Sequence, residues 1–186
     1  MSSIAEQRRE LGPYVGMLVF LVAWGMCFAS LFFAYSVLRI SEVSWPPPGV
    51  PRLPLAVPLF NTVVLAISSY TFHRGLVAVR GNRSLSVWLG VTWLLGTLFL
   101  ALQIWVWLGV ERAGLRWDSS KYGSVFYSLT VFHALHVLSG LVVIVYLMLR
   151  ARRYTSARHT AVRMGAMFWH FVDAVWALMF LTVYVL

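Results

Sequence analysis

Charged residues are scarce in this chain of 186 residues, where they make up 11% of the total. An ordinary soluble domain has about 25% charged residues, so this chain could not cover a soluble core of its size. Intrinsic disorder is excluded as well, because 60% of the residues are hydrophobic and 16% are aromatic. A membrane protein is the class that remains, and the mean hydropathy of +0.78 agrees with it.

Cysteine and acidic residues are also rare. Cys27 is the single cysteine, so the chain cannot form an internal disulfide and gives no indication of its redox compartment. Six acidic residues oppose 15 basic ones, which leaves a net charge of +9. The basic residues are scattered in short loops between apolar runs, as the positive-inside rule predicts for a membrane protein. We therefore exclude a nucleic acid as partner.

Five long apolar runs dominate the sequence. Each is long enough to cross about 30 Å of hydrocarbon, and a backbone in lipid must satisfy its own hydrogen bonds, so the runs predict helices. The runs are 13–38, 55–78, 86–110, 123–149 and 162–186. The predicted fold is an all-α bundle of five transmembrane helices in one membrane domain, residues 13–186. Residues 1–12 are expected to form a tail, since the first run is too long for a cleavable signal peptide.

The basic residues are divided unequally between the two ends of this bundle. Ten lie in the N-terminal tail and in the loops on the same side, against five on the opposite side. Because basic loops stay in the cytoplasm, the N-terminus is expected inside and the C-terminus outside.

Ionisable side chains occur within two of the predicted helices. Asp173 lies about ten residues into the fifth helix, where a carboxylate costs roughly 2.5–3.5 kcal/mol on insertion scales. His170 is three residues earlier and therefore shares a helix face with Asp173. His133 and His136 repeat this spacing on the fourth helix, and antiparallel packing could bring His136 close to Asp173.

Three interpretations of these four residues remain open from the residues alone. They can pair with each other and fix the helix register. His133, His136 and His170 can instead bind a metal ion or a haem, which predicts a stand-alone membrane metalloprotein or haem protein. The third interpretation is a proton relay built from histidine and aspartate.

Asn61 and Gln103 are the other polar residues predicted at membrane depth. Interhelical hydrogen bonds are the expected role of both, because a polar side chain in hydrocarbon needs a partner on a neighbouring helix.

Two long motifs carry a resemblance to a known family. Residues 168–176 read FWHFVDAVW, which resembles the final-helix signature W-H-F-x-D-x-x-W of subunit III of haem–copper oxidases. Residues 132–140 read FHALHVLSG, which is similar to that family's H-G-x-H-V-x-x-G. Shorter matches precede them in the same order along the chain, at residues 28–35, 61–62, 68–69 and 122–127.

The resemblance implies the short, five-helix bacterial form of this subunit, in the plasma membrane. In that family subunit III holds no redox cofactor, since the haems and copper belong to subunits I and II. It stabilises subunit I, supports proton uptake and binds phospholipid. The whole complex reduces oxygen to water with electrons from cytochrome c or quinol. A related subunit in a nitric oxide reductase is a further alternative.

Two positions depart from the family pattern. The family commonly has a glutamate in the first helix of the bundle, where this chain has Trp24. A second glutamate often follows the glutamine of the third helix by three residues, and counting from Gln103 that position is Val106. The resemblance assigns a role in proton uptake to those two carboxylates, and this chain has a carboxylate at neither position.

Overall fold

The structure of the protein is a computed structural model, which describes residues 4–47, 53–81 and 84–185. Within these ranges the chain forms five long α-helices and no β-strand. They are α1 (Ile4–Ser41), α2 (Ala56–Arg80), α3 (Ser86–Arg112), α4 (Lys121–Leu149) and α5 (Thr160–Met179), and α5 continues as a π-helical segment, Phe180–Val185. All five are long and apolar enough to cross a membrane. The prediction of an all-helical five-span bundle is confirmed.

Helix α1 begins at Ile4, within the segment that the sequence assigns to a tail. The helix therefore begins nine residues before the apolar run, which the sequence places from residue 13 onwards. The division into a tail and a membrane domain stays a prediction.

Helices α2 to α5 form the centre of the bundle, and α1 packs on its side against α4 and α5. Of the described side chains in α1, Phe28 and Tyr35 are buried and the others are partly or fully exposed. The hydroxyl of Tyr35 donates a hydrogen bond to the Thr182 carbonyl over 2.9 Å, which joins α1 to the π-helical segment. Most of the α1 surface therefore faces outwards from this chain.

Trp169 of α5 fixes how closely three helices approach. Its indole is 1% exposed and donates from Nε1 to Ser68 Oγ over 3.0 Å. A Cβ atom added at Gly96 of α3 would lie 2.8 Å from this ring, and one added at Gly140 of α4 would lie 2.7 Å from it. Both helices come this close because glycine leaves room for the indole.

Candidate functional site

The imidazole of His133 lies in the middle of the bundle, surrounded by aromatic rings from three helices. Its ring centroid is 5.4 Å from that of Trp176, 5.9 Å from Phe99 and 6.4 Å from Phe28. The residue is 1% exposed, and neither ring nitrogen has a hydrogen-bond partner in the described part of the chain. This packing makes His133 a core side chain between α1, α3 and α5.

His136 lies one helical turn further along α4 and meets α1. Its Nδ1 is 2.7 Å from the Phe132 carbonyl oxygen. Because a carbonyl can only accept, Nδ1 carries the proton, and in the neutral ring Nε2 is then an acceptor. The indole of Trp24 meets this imidazole edge to face, with ring centroids 4.4 Å apart. Trp24, the residue at the family's glutamate position, is therefore a direct neighbour of His136.

A second polar group joins α5 to α2. His170 Nδ1 lies 2.5 Å from Ser69 Oγ, and the same hydroxyl lies near enough to the Asp173 carboxyl group to interact with it. His73, one turn beyond Ser69 on α2, has its ring centroid 6.3 Å from that of His170. Ser69 thus connects the two residues that the final-helix motif places on one face.

Two patterns of hydrogen bonding are chemically possible for a serine hydroxyl that lies between His170 and Asp173. With Asp173 ionised, His170 Nδ1–H donates to Ser69 Oγ and the Ser69 hydroxyl donates to the carboxylate. With Asp173 protonated, the carboxyl donates to Ser69 Oγ and the Ser69 hydroxyl donates to His170 Nδ1. Moving one proton from a His170 imidazolium to the Asp173 carboxylate reverses both hydrogen bonds and leaves a neutral imidazole with its proton on Nε2.

The four predicted residues make these contacts in two pairs. His133 and His136 lie among the rings at α1, while His170 and Asp173 share Ser69 of α2. Over residues 4–47, 53–81 and 84–185, no ion pair joins Asp173 to a histidine. The same described residues contain no group of three His, Cys, Asp or Glu side chains that could hold a metal ion. That the four act as one structural or proton-coupled cluster stays a prediction.

Asn61 and Gln103 each contact a neighbouring helix. Asn61 Nδ2 donates to the Phe99 carbonyl of α3 over 3.3 Å. Gln103 Nε2 donates to the hydroxyl of Tyr184, in the π-helical segment, over 3.4 Å. Their amide oxygens, Asn61 Oδ1 and Gln103 Oε1, have no partner in the described residues.

Sequence reasoning did not identify Ser69 and His73 as parts of this site. A signal for them exists, because Thr62, Ser69 and His73 follow each other by seven and four residues on α2 and therefore share one helix face. Thr62 Oγ1 accepts from Trp176 Nε1 over 3.0 Å, so this face of α2 meets α5 at more than one level.

Comparison with known proteins matches nearly the whole chain to one family. The family model described as cytochrome c oxidase subunit III matches residues 7–186. The cytochrome c oxidase subunit 3 of Synechocystis sp. is 39% identical over 92% of this chain and 74% of its own length. That of Thermostichus vulcanus is 37% identical over 92% and 86%, and the probable subunit 3 of Nocardia farcinica is 40% identical over 91% and 86%.

Proposed function

Because the chain belongs to the cytochrome c oxidase subunit III family, we propose that it acts as the non-catalytic subunit III of a haem–copper respiratory oxidase. Its relatives are named as subunits of an oxidase, which supports membership of an oxidase complex. Its five long apolar helices support a multi-pass membrane protein. In our proposal its partners are subunits I and II, which carry the haems and copper. It stabilises subunit I and supports proton uptake while oxygen is reduced to water in a bacterial plasma membrane.

The contact between His170 and Ser69, with the Asp173 carboxyl group beside the same hydroxyl, is the observation that carries the finer part of this proposal. It crosses from α5 to α2, so it ties together two helices of the bundle centre. It can also hold a proton at either end, which is what a group that exchanges protons with its surroundings needs. His73 is exposed on the surface of α2 beside His170, so the group of His170, Ser69 and Asp173 lies next to a side chain that reaches the outside of the bundle.

The outward-facing surface of α1 supports contact with another membrane subunit. Among the described residues, no atom outside the backbone of α1 lies within 4 Å of a Cβ added at Gly16, and Ala23 is exposed. Small residues on a helix surface permit close packing of a second helix in lipid. Gly25 does not belong to this surface, because an added Cβ there would lie 3.8 Å from the Phe171 ring of α5.

The substitution Asp173→Asn tests the proposed role in the assembled complex. Asn keeps the shape and an acceptor for Ser69 but removes the charge and the exchangeable carboxyl proton. We expect weaker retention of this subunit, or activity that falls over many turnovers, while the initial rate of oxygen consumption stays normal. The measurements are subunit quantification and prolonged oxygen uptake by the purified complex.

Asp118→Asn is the matched control for that substitution. Asp118 lies in the α3–α4 loop, exposed and 3.3 Å from Arg116 Nε, so its charge should matter little. Immediate and complete loss of oxygen reduction in Asp173→Asn, with this subunit still fully bound, would contradict the proposal, because it would place Asp173 in the chemistry or in obligatory proton delivery.

An absorption spectrum of the isolated chain tests the alternative of a haem or metal protein. Under our proposal the chain purified alone shows no Soret band and retains no stoichiometric iron. A Soret band that disappears in His133→Ala or His170→Ala would support the alternative and overturn the assignment as a cofactor-free subunit.

A further inference from the structure

Three buried polar side chains in the centre of the bundle keep unpaired atoms. Asn61 of α2, Gln103 of α3 and His133 of α4 are each between 0% and 1% exposed. Asn61 Oδ1, Gln103 Oε1 and both ring nitrogens of His133 have no hydrogen-bond partner in the part of the chain that the structure describes. The large majority of buried polar side-chain atoms in native proteins bond to protein or to ordered water. Unpaired atoms on three neighbouring helices therefore indicate a shared ligand.

These three side chains lie at one level of the bundle. Asn61 Nδ2 donates to the Phe99 carbonyl, which is also the helical acceptor for the Gln103 N–H one turn later. The ring centroid of Phe99 lies 5.9 Å from that of His133. The Trp176 ring borders both, with its centroid 4.7 Å from that of Phe99 and 5.4 Å from that of His133. A layer of polar groups is thus enclosed by aromatic rings of α3 and α5.

The hydrogen-bonding capacity of this layer matches that of water. The amide oxygens of Asn61 and Gln103 only accept, and the neutral imidazole of His133 offers one N–H donor and one acceptor nitrogen. The unpaired atoms therefore comprise three acceptors and a single donor, so they cannot satisfy one another. About two water molecules would supply the missing O–H donors and accept from the imidazole N–H, and a buried water typically makes about three such bonds.

We propose that this layer binds about two ordered water molecules between α2, α3 and α4, held by Asn61 Oδ1, Gln103 Oε1 and the ring nitrogens of His133. The direct amide bonds leave room for such an arrangement. Asn61 Nδ2 is 3.3 Å from the Phe99 oxygen and Gln103 Nε2 is 3.4 Å from the Tyr184 hydroxyl, both longer than the usual distance of about 2.9–3.0 Å. Neither amide is held tightly by its direct partner, so each can present its oxygen to water.

Bound water would give the three helices a common polar connection. In the membrane interior a buried polar group without a partner is costly, so sliding or rotating any one helix would break bonds in the whole layer. The water site therefore fixes the register of α2, α3 and α4 in a way that apolar packing does not. Water binding is a property of the chain itself and does not depend on the proposed oxidase role.

X-ray radiolysis of the full chain in detergent tests this site, because hydroxyl radicals formed from a bound water oxidise the side chains around it. Trp176 and Trp169 are matched reporters, since they are 0% and 1% exposed and each indole donates to a hydroxyl on α2. Trp169 lies against Gly96 and Gly140 instead of the polar layer. We expect severalfold more oxidation of Trp176 than of Trp169 by mass spectrometry. Equal oxidation of the two would overturn the proposal.

The substitution His133→Phe removes both ring nitrogens and keeps an aromatic ring in their place. We expect it to lower the oxidation of Trp176 and also the midpoint of unfolding in mixed SDS and mild detergent, because the water loses a partner. If the nitrogens of His133 had no bound water, the apolar ring would leave the midpoint unchanged or raise it, since it removes an unpaired polar group. That outcome would contradict the site.

His136→Phe is the matched control, because the His136 ring meets Trp24 and Phe28 one turn along α4. Oxidation of Trp176 that is unchanged in His136→Phe and lowered in His133→Phe supports the site. Equal losses in both variants would overturn it. The comparison of the two tryptophans in the unmodified chain decides the question even if His133→Phe does not fold.

Discussion

Ser69 Oγ and His170 Nδ1 lie 2.5 Å apart, and this contact joins α2 to α5 across 101 residues of sequence. The serine hydroxyl also lies close to the Asp173 carboxyl group, so one small side chain meets two ionisable groups of the helix that carries the family motif. Neither group has an ion-pair partner in the described part of the chain. The register between α2 and α5 therefore depends on a residue outside the final-helix motif.

Replacing Ser69 by Ala should destabilise the bundle, because it leaves His170 and Asp173 without their shared partner. An interhelical hydrogen bond in a membrane protein contributes about 0.6 kcal/mol on average. A buried polar group left unpaired costs up to about 3 kcal/mol, so we expect a loss between these limits. The midpoint of unfolding in mixed SDS and mild detergent measures it.

Ser139→Ala is the control for this change. Ser139 is exposed on α4 and bonds only the Leu135 carbonyl of its own helix, so its removal should leave the midpoint unchanged. A midpoint for Ser69→Ala as high as that of Ser139→Ala would mean that the α2–α5 contact contributes nothing to stability.

Gly140→Ala should destabilise the bundle through a direct clash with Trp169. The added methyl group would lie 2.7 Å from two atoms of the indole ring, which is rigid and 1% exposed. Overpacking of this kind typically costs about 1–3 kcal/mol. Gly90→Ala is the matched control, since in the described part of the chain no atom outside the α3 backbone lies within 4 Å of an added Cβ, and alanine is the better helix former. If both variants unfold at the same midpoint, the proposed packing around Trp169 is wrong.

The five helices could be predicted from sequence because the length of an apolar run is a local property that bilayer thickness constrains. The common face of His170 and Asp173 followed in the same way from their spacing of three residues. Their partner Ser69 could not be predicted in this way, since its position depends on which face of α2 is turned towards α5. That rotation results from packing, including the position of Trp169 between Gly96 and Gly140.

The neighbourhood of His136 shows the same limit. The sequence suggests Asp173 as its partner across antiparallel helices, whereas the rings nearest to it belong to Trp24, Phe132 and Phe28. A side chain of α1 occupies this place because α1 packs across α4 and α5, and nothing in the spacing of α4 and α5 residues indicates that third helix.

The orientation of the chain can be tested by cysteine labelling in intact spheroplasts. On a Cys27→Ser background, Arg158→Cys should react only after the membrane is opened, whereas Arg116→Cys should react from outside. The ten-to-five distribution of basic residues is the reason, and both positions are exposed. Labelling of Arg158→Cys from outside would contradict the predicted topology and indicate the opposite orientation.

Phe28→Ala should loosen α1 from the rest of the bundle. Phe28 is 3% exposed, and its ring lies 5.1 Å from that of Phe132 and 6.3 Å from that of Phe171, so it contacts both α4 and α5. Truncation of a buried phenylalanine costs about 3–5 kcal/mol in soluble cores. The loss should be smaller here, because lipid rather than water surrounds a detached helix and only packing contacts are lost.

Phe33→Ala is the matched control on the same helix, since Phe33 is 72% exposed and should be replaceable without effect. Unfolding midpoints in SDS and mild detergent compare the two variants. An equal effect of both would show that α1 is held by its outward-facing surface and not by the contacts of Phe28 with α4 and α5.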